Sequence, residues 1–314
     1  MPRLNHISIV CEDPANLRQF YARWFGFEEL SRGAGGSVYL TDGYFSVGLL
    51  PHGSEAAEAN AFGLNHLGFQ IESIDEVEQR LREFDPAARI DDLPKGGYAE
   101  YRVTDPEGLT IDLSEEGWGA AGERRIPGIR HIATVNKDAL RSFGFYSKVF
   151  GMKDGRLTDE ESSVVEGMWE RATDTQVYEG VDASGSVTRL RWDPATRSIV
   201  EVIRQEAPRP IVNGRRVSLP YAHACDGFVN LALLGSSDWL KPNLNHFGML
   251  VRDSYGLLHR IAEETGLRLD QRPEDRPFAE YRVWDPEGNA IDLSEKKGYK
   301  VDTAKIDRIE DEVT

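Results

Sequence analysis

Cysteine is scarce in this sequence, since only Cys11 and Cys225 occur among its 314 residues. Two cysteines could pair with each other, but they cannot build a dense disulfide framework. We expect reduced thiols in a cytoplasmic protein. Long apolar runs are missing as well, and none approaches the roughly 18 residues that a membrane helix requires. We also expect no signal peptide, because the opening MPRLNHISIV enters a strand directly.

Positive charge is the other shortage. Lys and Arg number 37 against 53 Asp and Glu, which gives a formal net charge of −16. Negative charge of this size repels phosphate backbones and anionic lipid headgroups. We therefore expect neither nucleic acid nor a membrane as a partner, and we expect a small-molecule substrate. Whether the chain forms a homo-oligomer is left open.

One stretch of the sequence occurs twice. Residues 99–114 read AEYRVTDPEGLTIDLS, and residues 279–294 read AEYRVWDPEGNAIDLS. The triplet Leu-Asn-His also occurs twice at the same separation, ending at His66 and at His246. Repetition with fixed spacing indicates two copies of one structural unit. Asp-Pro-Glu-Gly is turn chemistry and its flanks alternate apolar with polar residues, so each copy predicts a β-hairpin.

A strand followed by a helix is predicted four times, each time with further short strand candidates behind it. These pairs cover residues 4–26, 64–84, 128–150 and 244–265. The pattern predicts an α+β fold of four βαβββ modules. The modules pair into domains of about residues 1–120 and 125–300, followed by an acidic tail over 301–314.

The two halves differ in length. His6 and His66 are 60 positions apart, whereas His131 and His246 are 115 apart. The third module therefore carries an insertion of about 55 residues, mainly within 158–241. Long insertions often form lids or substrate walls, and extra packing or a subunit interface is an equal alternative.

These motifs resemble the vicinal oxygen chelate superfamily, which includes glyoxalase I, extradiol dioxygenases and bleomycin resistance proteins. The resemblance rests on strand openings that end in histidine, on helices similar to FYxxxFGF and on the DPxGxxxD hairpins. It covers nearly the whole chain and implies two modules per domain, closing a sheet around a metal. The matching residues are Asn5-His6, Asn65-His66, Arg130-His131, Asn245-His246, Phe20–Phe27, Phe145–Met152, Asp105–Asp112 and Asp285–Asp292.

The resemblance also implies a ligand set for each half. Strand parity agrees, because the neighbours of the histidines are apolar and the imidazoles then face the cleft. Two imidazoles and a carboxylate can hold Fe(II), the first expectation, or Mn(II), Zn(II) or Ni(II). Family members usually have Glu where this chain has the shorter Asp. The alternative is a metal-free cleft in which His and Asp bond each other. The expected ligands are His6, His66 and Asp112, and His131, His246 and Asp292.

Four further residues are candidates for catalysis. Glu201 matches an additional glutamate of glyoxalase I if one residue is inserted in its hairpin; otherwise it is an exposed strand residue. His223 is the one candidate for the additional histidine of dioxygenases. Arg102 and Arg282 stand ten residues before the carboxylates, where dioxygenases have Tyr. They would suit an anionic substrate, or they would pair with Glu100 and Glu280.

Three function classes remain. An extradiol-type oxygenase acting on an aromatic or otherwise oxygen-chelating, possibly catecholic, substrate is the first expectation, with the C-terminal half active. A glyoxalase- or epimerase-like enzyme, in which a metal stabilises an enediolate, is the alternative. A protein that only binds a small molecule is the third.

Overall fold

The computed structural model provides the coordinates of the chain, and most of both repeats is described. The described residues are 2–54, 57, 61–95, 97–122, 125–154, 176–181, 187–193, 198–205, 221–235, 243–272, 279–295 and 299. The tail predicted over 301–314 lies outside them. None of the helices within this part of the chain has the length and apolar character needed to cross a bilayer.

The N-terminal half forms one mixed sheet. Its strands are β1 (Arg3–Cys11), β2 (Glu28–Arg32), β3 (Val38–Thr41), β4 (Ser46–Pro51), β5 (Gly63–Gln70), β6 (Asp91–Asp92), β7 (Tyr101–Thr104) and β8 (Thr110–Ser114). Their order across the sheet is β2-β3-β4-β1-β5-β8-β7-β6. The antiparallel pair β1–β5 lies at the centre, and each of its members has a parallel neighbour, β4 or β8. Two modules therefore join edge to edge.

The C-terminal half repeats this arrangement. Its strands are β9 (Gly128–Asn136), β10 (Lys153–Asp154), β11 (Gln176–Val181), β12 (Val187–Asp193), β13 (Ser198–Gln205), β14 (Tyr221–Cys225), β15 (Asn230–Gly235), β16 (Asn243–Leu250), β17 (Leu269–Gln271), β18 (Tyr281–Trp284) and β19 (Ala290–Ser294). The main sheet has the order β10-β14-β15-β9-β16-β19-β18-β17. Strand β9 corresponds to β1 and β16 to β5, so the centre is again an antiparallel pair. The predicted fold of four βαβββ modules is confirmed.

One helix follows the first strand of each module. The four are α1 (Pro14–Phe25), α2 (Ile74–Phe84), α3 (Ala139–Phe150) and α4 (Ser254–Thr265). Helix α1 begins at a side-chain cap, because Asp13 Oδ1 accepts from the backbone amides of the first turn. It ends at Gly26, whose φ of 69° is the left-handed conformation that glycine adopts without strain. These are the boundaries that the sequence predicts.

The sheets separate an apolar face from a polar one. Ile7 and Ile132, next to the first histidines, are completely buried in a cluster that also contains Phe143 of α3. His6 and His131 point to the opposite face because successive strand residues alternate. One continuous hydrophobic cluster includes residues of both halves, so the halves share a core.

The contacts between the two halves are related by approximate twofold symmetry. Tyr21 of α1 donates a hydrogen bond to Asp285 of the second hairpin turn at 2.7 Å. Tyr146 of α3 donates to Asp105 of the first hairpin turn at 3.0 Å. Each repeated turn therefore binds a helix of the opposite half.

The glutamates of the same turns cap those helices. Glu287 accepts from the backbone amides of Glu12 and Asp13, both at 2.8 Å, just before α1. Glu107 accepts from the amides of residues 137 and 138, also at 2.8 Å, just before α3. A carboxylate at a helix N-terminus satisfies unpaired N–H groups and interacts favourably with the helix dipole.

The insertion in the third module forms its own antiparallel sheet from β11, β12 and β13. Strand β13 lies against α3. Helix α3 contributes Phe143, Tyr146 and Phe150 to the core and so covers the apolar face of the sheets. The described strands of the insertion thus contact the side of the sheet that carries the helices. This contact does not support the interpretation that the insertion forms a wall of the histidine cleft.

Candidate active site

The N-terminal half assembles its predicted set on one sheet face. In register, Gly68 of β5 lies between His6 and Asp112. The ring centroids of His6 and His66 are 5.5 Å apart, and His66 Nε2 lies 3.3 Å from Asp112 Oδ2. All three side chains are buried. The predicted placement of both histidines on the same side of the sheet is confirmed.

The C-terminal half contains the same arrangement. Gly248 lies in register between His131 and Asp292. The two histidine rings are 5.4 Å apart, and His246 Nε2 lies 3.4 Å from Asp292 Oδ2. Distances in the two halves agree within 0.1 Å, so the repeat in sequence is a repeat in geometry.

An arginine binds the second carboxylate oxygen in each half. Arg102 Nε lies 2.6 Å from Asp112 Oδ1, and Arg282 Nε lies 2.5 Å from Asp292 Oδ1. The hairpin register places Arg102 opposite Asp112, so the aspartate is a partner that neither alternative, an anionic substrate or Glu100, anticipated. Burial acts to raise the pKa of both aspartates, but the adjacent histidine and arginine outweigh it and hold each pKa below its ordinary value.

Neighbouring asparagines orient the second histidines. Asn65 Oδ1 lies 2.8 Å from His66 Nδ1, and Asn245 Oδ1 lies 2.7 Å from His246 Nδ1. The amide oxygens accept the Nδ1 proton, so Nε2 carries the lone pair in the neutral ring. In both halves Nε2 faces a carboxylate oxygen. An unprotonated Nε2 and the carboxylate could hold a cation together, whereas a protonated Nε2 would donate a hydrogen bond to the carboxylate.

The first histidines are neutral and covered by an aromatic ring. Burial, followed by the neighbouring histidine, lowers the pKa of His6 and of His131 to about 3. Trp118 stacks on His6 with centroids 4.9 Å apart, and Tyr299 stacks on His131 at 4.8 Å. The sequence analysis missed both rings, although Gly-Trp and Gly-Tyr follow the two repeats.

Two strand glycines make room for these rings. A Cβ at Gly68 would lie 2.8 Å from the Trp118 ring, and one at Gly248 would lie 2.5 Å from the Tyr299 hydroxyl. Tyr299 also donates a hydrogen bond to the Asp292 backbone carbonyl at 2.9 Å. The covering rings are therefore built into the sheet.

The C-terminal half has polar groups that the N-terminal half lacks. Asn230 lies beside His131 in register, and its Oδ1 is 3.1 Å from His131 Nδ1 and 2.9 Å from His223 Nδ1. One amide oxygen thus accepts from two imidazoles and fixes the tautomer of both. The corresponding N-terminal positions are Ser46 and Tyr39. His223, a predicted catalytic candidate, lies on the polar face of this half.

Glu201 does not occupy the position that was predicted for it. It lies on β13 of the separate three-stranded sheet, opposite Arg191. The parallel neighbour of β9 is β15, and the residue beside His131 is Asn230. The alignment with an added residue in the hairpin was wrong because the insertion supplies that hairpin independently of the module.

The two histidines and the aspartate of each half are side chains that bind divalent cations in proteins. Among the residues that the structure describes, no group of three or more His, Cys, Asp or Glu side chains is arranged to hold an ion as it stands. The donor chemistry nevertheless fits a cation, since an imidazole nitrogen faces a carboxylate oxygen in both halves. The ring of the first histidine is centred 5.5 Å from that of the second in the N-terminal half and 5.4 Å in the C-terminal half.

Comparison with known proteins gives a family and a fold. The family model of the Glyoxalase/Bleomycin resistance protein/Dioxygenase superfamily matches residues 3–113 and 128–293. No curated protein matches the chain significantly.

Solved structures match over nearly the full length at low identity. A catechol 2,3-dioxygenase is 12% identical at a TM-score of 0.57, covering 94% of this chain and 88% of that one. The Mn(II)-bound glyoxalase from Novosphingobium aromaticivorans is 14% identical at 0.55, covering 96% and 86%. The 2,2',3-trihydroxybiphenyl 1,2-dioxygenase from Sphingomonas wittichii is 12% identical at 0.53, covering 94% and 91%. At such identities these matches report the fold.

Proposed function

Because the chain belongs to the Glyoxalase/Bleomycin resistance protein/Dioxygenase superfamily, we propose that its C-terminal half is a metal-dependent enzyme site for a small oxygen-chelating substrate. The observation that carries this proposal is the hydrogen-bonded series His223–Asn230–His131 beside His246 and Asp292. The N-terminal half has Ser and Tyr in the two corresponding positions. The C-terminal half thus differs by having His223, an imidazole that can transfer protons, close to the proposed cation donors.

Each residue of this site has a separate role. His131, His246 and Asp292 hold a divalent cation, Fe(II) first and Mn(II), Zn(II) or Ni(II) as alternatives. When bound, such a cation polarises the oxygen atoms of the substrate. Asn230 keeps the imidazoles in one tautomer, and His223 transfers a proton to or from the substrate.

Arg282 and Tyr299 prepare the surroundings of the site. Arg282 keeps Asp292 ionised, since its Nε binds the carboxylate directly. Tyr299 is fully buried against His131 and excludes water from that side of the imidazole. On this proposal Arg282 acts on Asp292 rather than on an anionic substrate.

The leading reaction is oxidative cleavage of an aromatic ring in a catechol-like substrate. A lyase or isomerase reaction is the second candidate, and one observation favours it. Arg282, already bonded to Asp292, stands where the resemblance to dioxygenases implies a tyrosine. Oxygen uptake separates the two candidates, since only ring cleavage consumes O₂.

The test uses full-length protein purified without oxygen. Metal content is measured first, and a panel of catechols and 2-oxoaldehyde adducts is then screened by O₂ uptake and absorbance. Asp292→Ala should lose the cation of the C-terminal set and all turnover, whereas Asp112→Ala, its matched control, should keep most turnover. The reverse pattern would assign catalysis to the N-terminal half. If the wild-type protein binds compounds of the panel but converts none of them, it is a binding protein and not an enzyme.

His223 has its own test. His223→Gln retains a hydrogen-bonding side chain but cannot act as a base near neutral pH. We expect it to keep the cation and substrate affinity while kcat falls by about 100-fold, the usual contribution of general acid–base catalysis. An unchanged kcat would remove His223 from the mechanism.

The N-terminal set, His6, His66 and Asp112, has the same donors and is proposed as a second cation site. It lacks the His223–Asn230 pair. Its cation would bind without supporting turnover.

A further inference from the structure

A tyrosine from a loop occupies the polar cleft of the N-terminal half. Tyr98 stacks on Tyr39 with ring centroids 3.4 Å apart and planes at 13°. Its ring also lies 5.4 Å from that of His6. Tyr39 projects from β3 on the histidine-bearing face, because it pairs in register with Gly48 beside Ser8. The aromatic floor of the cleft is therefore covered by a side chain that is not part of a strand.

The hydroxyl of Tyr98 also has a prepared position. It lies 2.8 Å from Ser46 Oγ, and it donates to the Trp118 carbonyl at 3.5 Å. Burial raises the pKa of Tyr98, so this hydroxyl stays protonated at neutral pH. Nearby, Trp118 is 5% exposed and its Nε1 is buried without a hydrogen-bond partner among the described residues. A buried unsatisfied N–H costs free energy that an acceptor on a ligand would recover.

The loop that carries Tyr98 is closed at its base. The Leu93 amide donates to the Glu100 carbonyl at 2.8 Å, and the Gly97 amide donates to the Pro94 carbonyl at 3.0 Å. Strand pairing ends at this point, since β6 precedes the loop and β7 follows it. Tyr98 therefore lies outside the ladder of paired strands.

We propose that the N-terminal cleft is a binding site for flat phenols and that Tyr98 is its intramolecular occupant. A phenol would stack on Tyr39, place its hydroxyl at Ser46 and displace the Tyr98 ring into solvent. A larger fused ring can outcompete Tyr98 because it buries more apolar area on the same floor. This site lies in the half without His223 and needs no cation, so it is independent of the enzyme proposed above.

Competition with the Tyr98 ring determines how tightly a phenol is expected to bind. A side chain on a short loop competes like a ligand at roughly millimolar effective concentration. Removal of Tyr98 should therefore strengthen phenol binding by one plus the ratio of this concentration to the intrinsic Kd, which is about tenfold for a Kd of about 0.1 mM.

Calorimetric titration tests the site with p-cresol, the side chain of tyrosine, in EDTA. Tyr98→Ala should bind p-cresol more tightly than wild type, by about tenfold if its Kd in the variant is about 0.1 mM. Toluene, which lacks the hydroxyl, should bind more weakly than p-cresol. The double variant Tyr98→Ala/Ser46→Ala should lose this preference. Tyr255→Ala, an exposed tyrosine of the other half, is the control and should behave as wild type. If Tyr98→Ala does not fold, Tyr98→Leu replaces it.

Binding to wild-type protein is tested by limited trypsin digestion with 1-naphthol, again in EDTA. Lys95 is exposed on the same loop. Displacement of Tyr98 should accelerate cleavage after Lys95 by about fivefold or more, because cleavage follows the population of the open loop. Fragment masses identify the cut. No acceleration at saturating 1-naphthol, or equal p-cresol affinity of wild type and Tyr98→Ala, would overturn the proposal. Both results are independent of turnover in the C-terminal half.

Discussion

Each cleft contains a buried aspartate whose two oxygens have different partners. One oxygen faces a histidine and the other binds an arginine. The carboxylate is thus kept ionised in a site that water scarcely reaches. Because the guanidinium stabilises the charged form directly, the aspartate stays ionised without contact with solvent, as the proposed role of cation ligand requires.

Removal of the arginine should expose the cost of that burial. Arg282→Met leaves the Asp292 charge buried and unpaired, and the free energy of unfolding should fall by about 3 kcal/mol. Urea denaturation measures this loss, and Arg102→Met should show it in the other half.

The matched control for this prediction removes both charges. Arg282→Met/Asp292→Asn should recover most of the loss, because no uncompensated charge then remains. If Arg282→Met unfolds at the wild-type urea concentration, the ion pair contributes nothing to stability.

The asparagine next to each second histidine should control cation binding. Without Asn245 the His246 ring can change tautomer and turn its protonated nitrogen toward Asp292. Asn245→Ala should therefore weaken Mn(II) binding by the C-terminal set by about tenfold or more. Electron paramagnetic resonance of free Mn(II) measures this, and Asn65→Ala should affect the N-terminal set alone. Wild-type Mn(II) binding in both variants would contradict the orienting role.

Residue-level prediction from the sequence worked where strand parity decides the outcome. Alternation placed His6, His66 and Asp112 on one face. The arginine partner followed from hairpin register, which the sequence analysis did not apply. Trp118 could not be placed, because it follows an irregular segment whose direction depends on tertiary packing.

At the scale of elements, each Asp-Pro-Glu-Gly turn has two tasks. It closes its own hairpin, and its acidic side chains bind a helix of the other half. Turn propensity explains only the first task. The second explains why Glu stands in a position where many polar residues could form the turn.

Loss of either glutamate should weaken the opposite helix. Glu107→Ala removes both acceptors before α3, and Glu287→Ala removes both before α1. Each should lower the free energy of unfolding by about 1 kcal/mol, the usual value of a helix cap. The double variant should lose the sum, since distant sites act independently.

Thermal denaturation of the three variants measures these costs. Glu83→Ala, on the exposed face of α2, is a suitable control and should stay near wild type. A loss confined to one of the two single variants would show that the two caps are not equivalent.

Element boundaries were predictable because Asp13 and Gly26 are local signals. Partners between elements distant in sequence were not. The insertion illustrates this, since the alternating residues of Ser198–Gln205 form a strand that joins a separate sheet. A local pattern specifies a strand, whereas its neighbours depend on which edges are already paired.

At the scale of the whole molecule, the buried turn aspartates predict a pH effect. Burial is the largest influence on Asp105 and Asp285, and it raises the pKa of each. A carboxyl group whose pKa is raised on folding stabilises the protein most below its unfolded pKa of about 4. That contribution is lost as the pH rises through the folded pKa.

Asp105→Asn/Asp285→Asn should remove this dependence. Each amide oxygen can still accept from the backbone amides that bind Oδ1, whereas the hydrogen bonds to Oδ2 are lost at every pH. The stability of the variant relative to wild type should increase from about pH 4 upward and then level off. Urea denaturation from pH 4 to 8 measures the difference. A constant difference across this range would mean that neither carboxyl titrates with a raised pKa.

The crossed contacts between turns and helices also affect how this chain can change over time. A substitution at Glu287 in the second turn alters the start of a helix 275 residues earlier in the chain. A substitution at Glu107 in the first turn alters the start of a helix 30 residues later. The two copies are therefore not free to drift as separate modules, even where their clefts take on different ligands. The polar faces of the two sheets can differ more freely. Ser46 occupies the position equivalent to Asn230, and Tyr39 the position equivalent to His223. The surfaces that the copies share must be inherited as a matched pair.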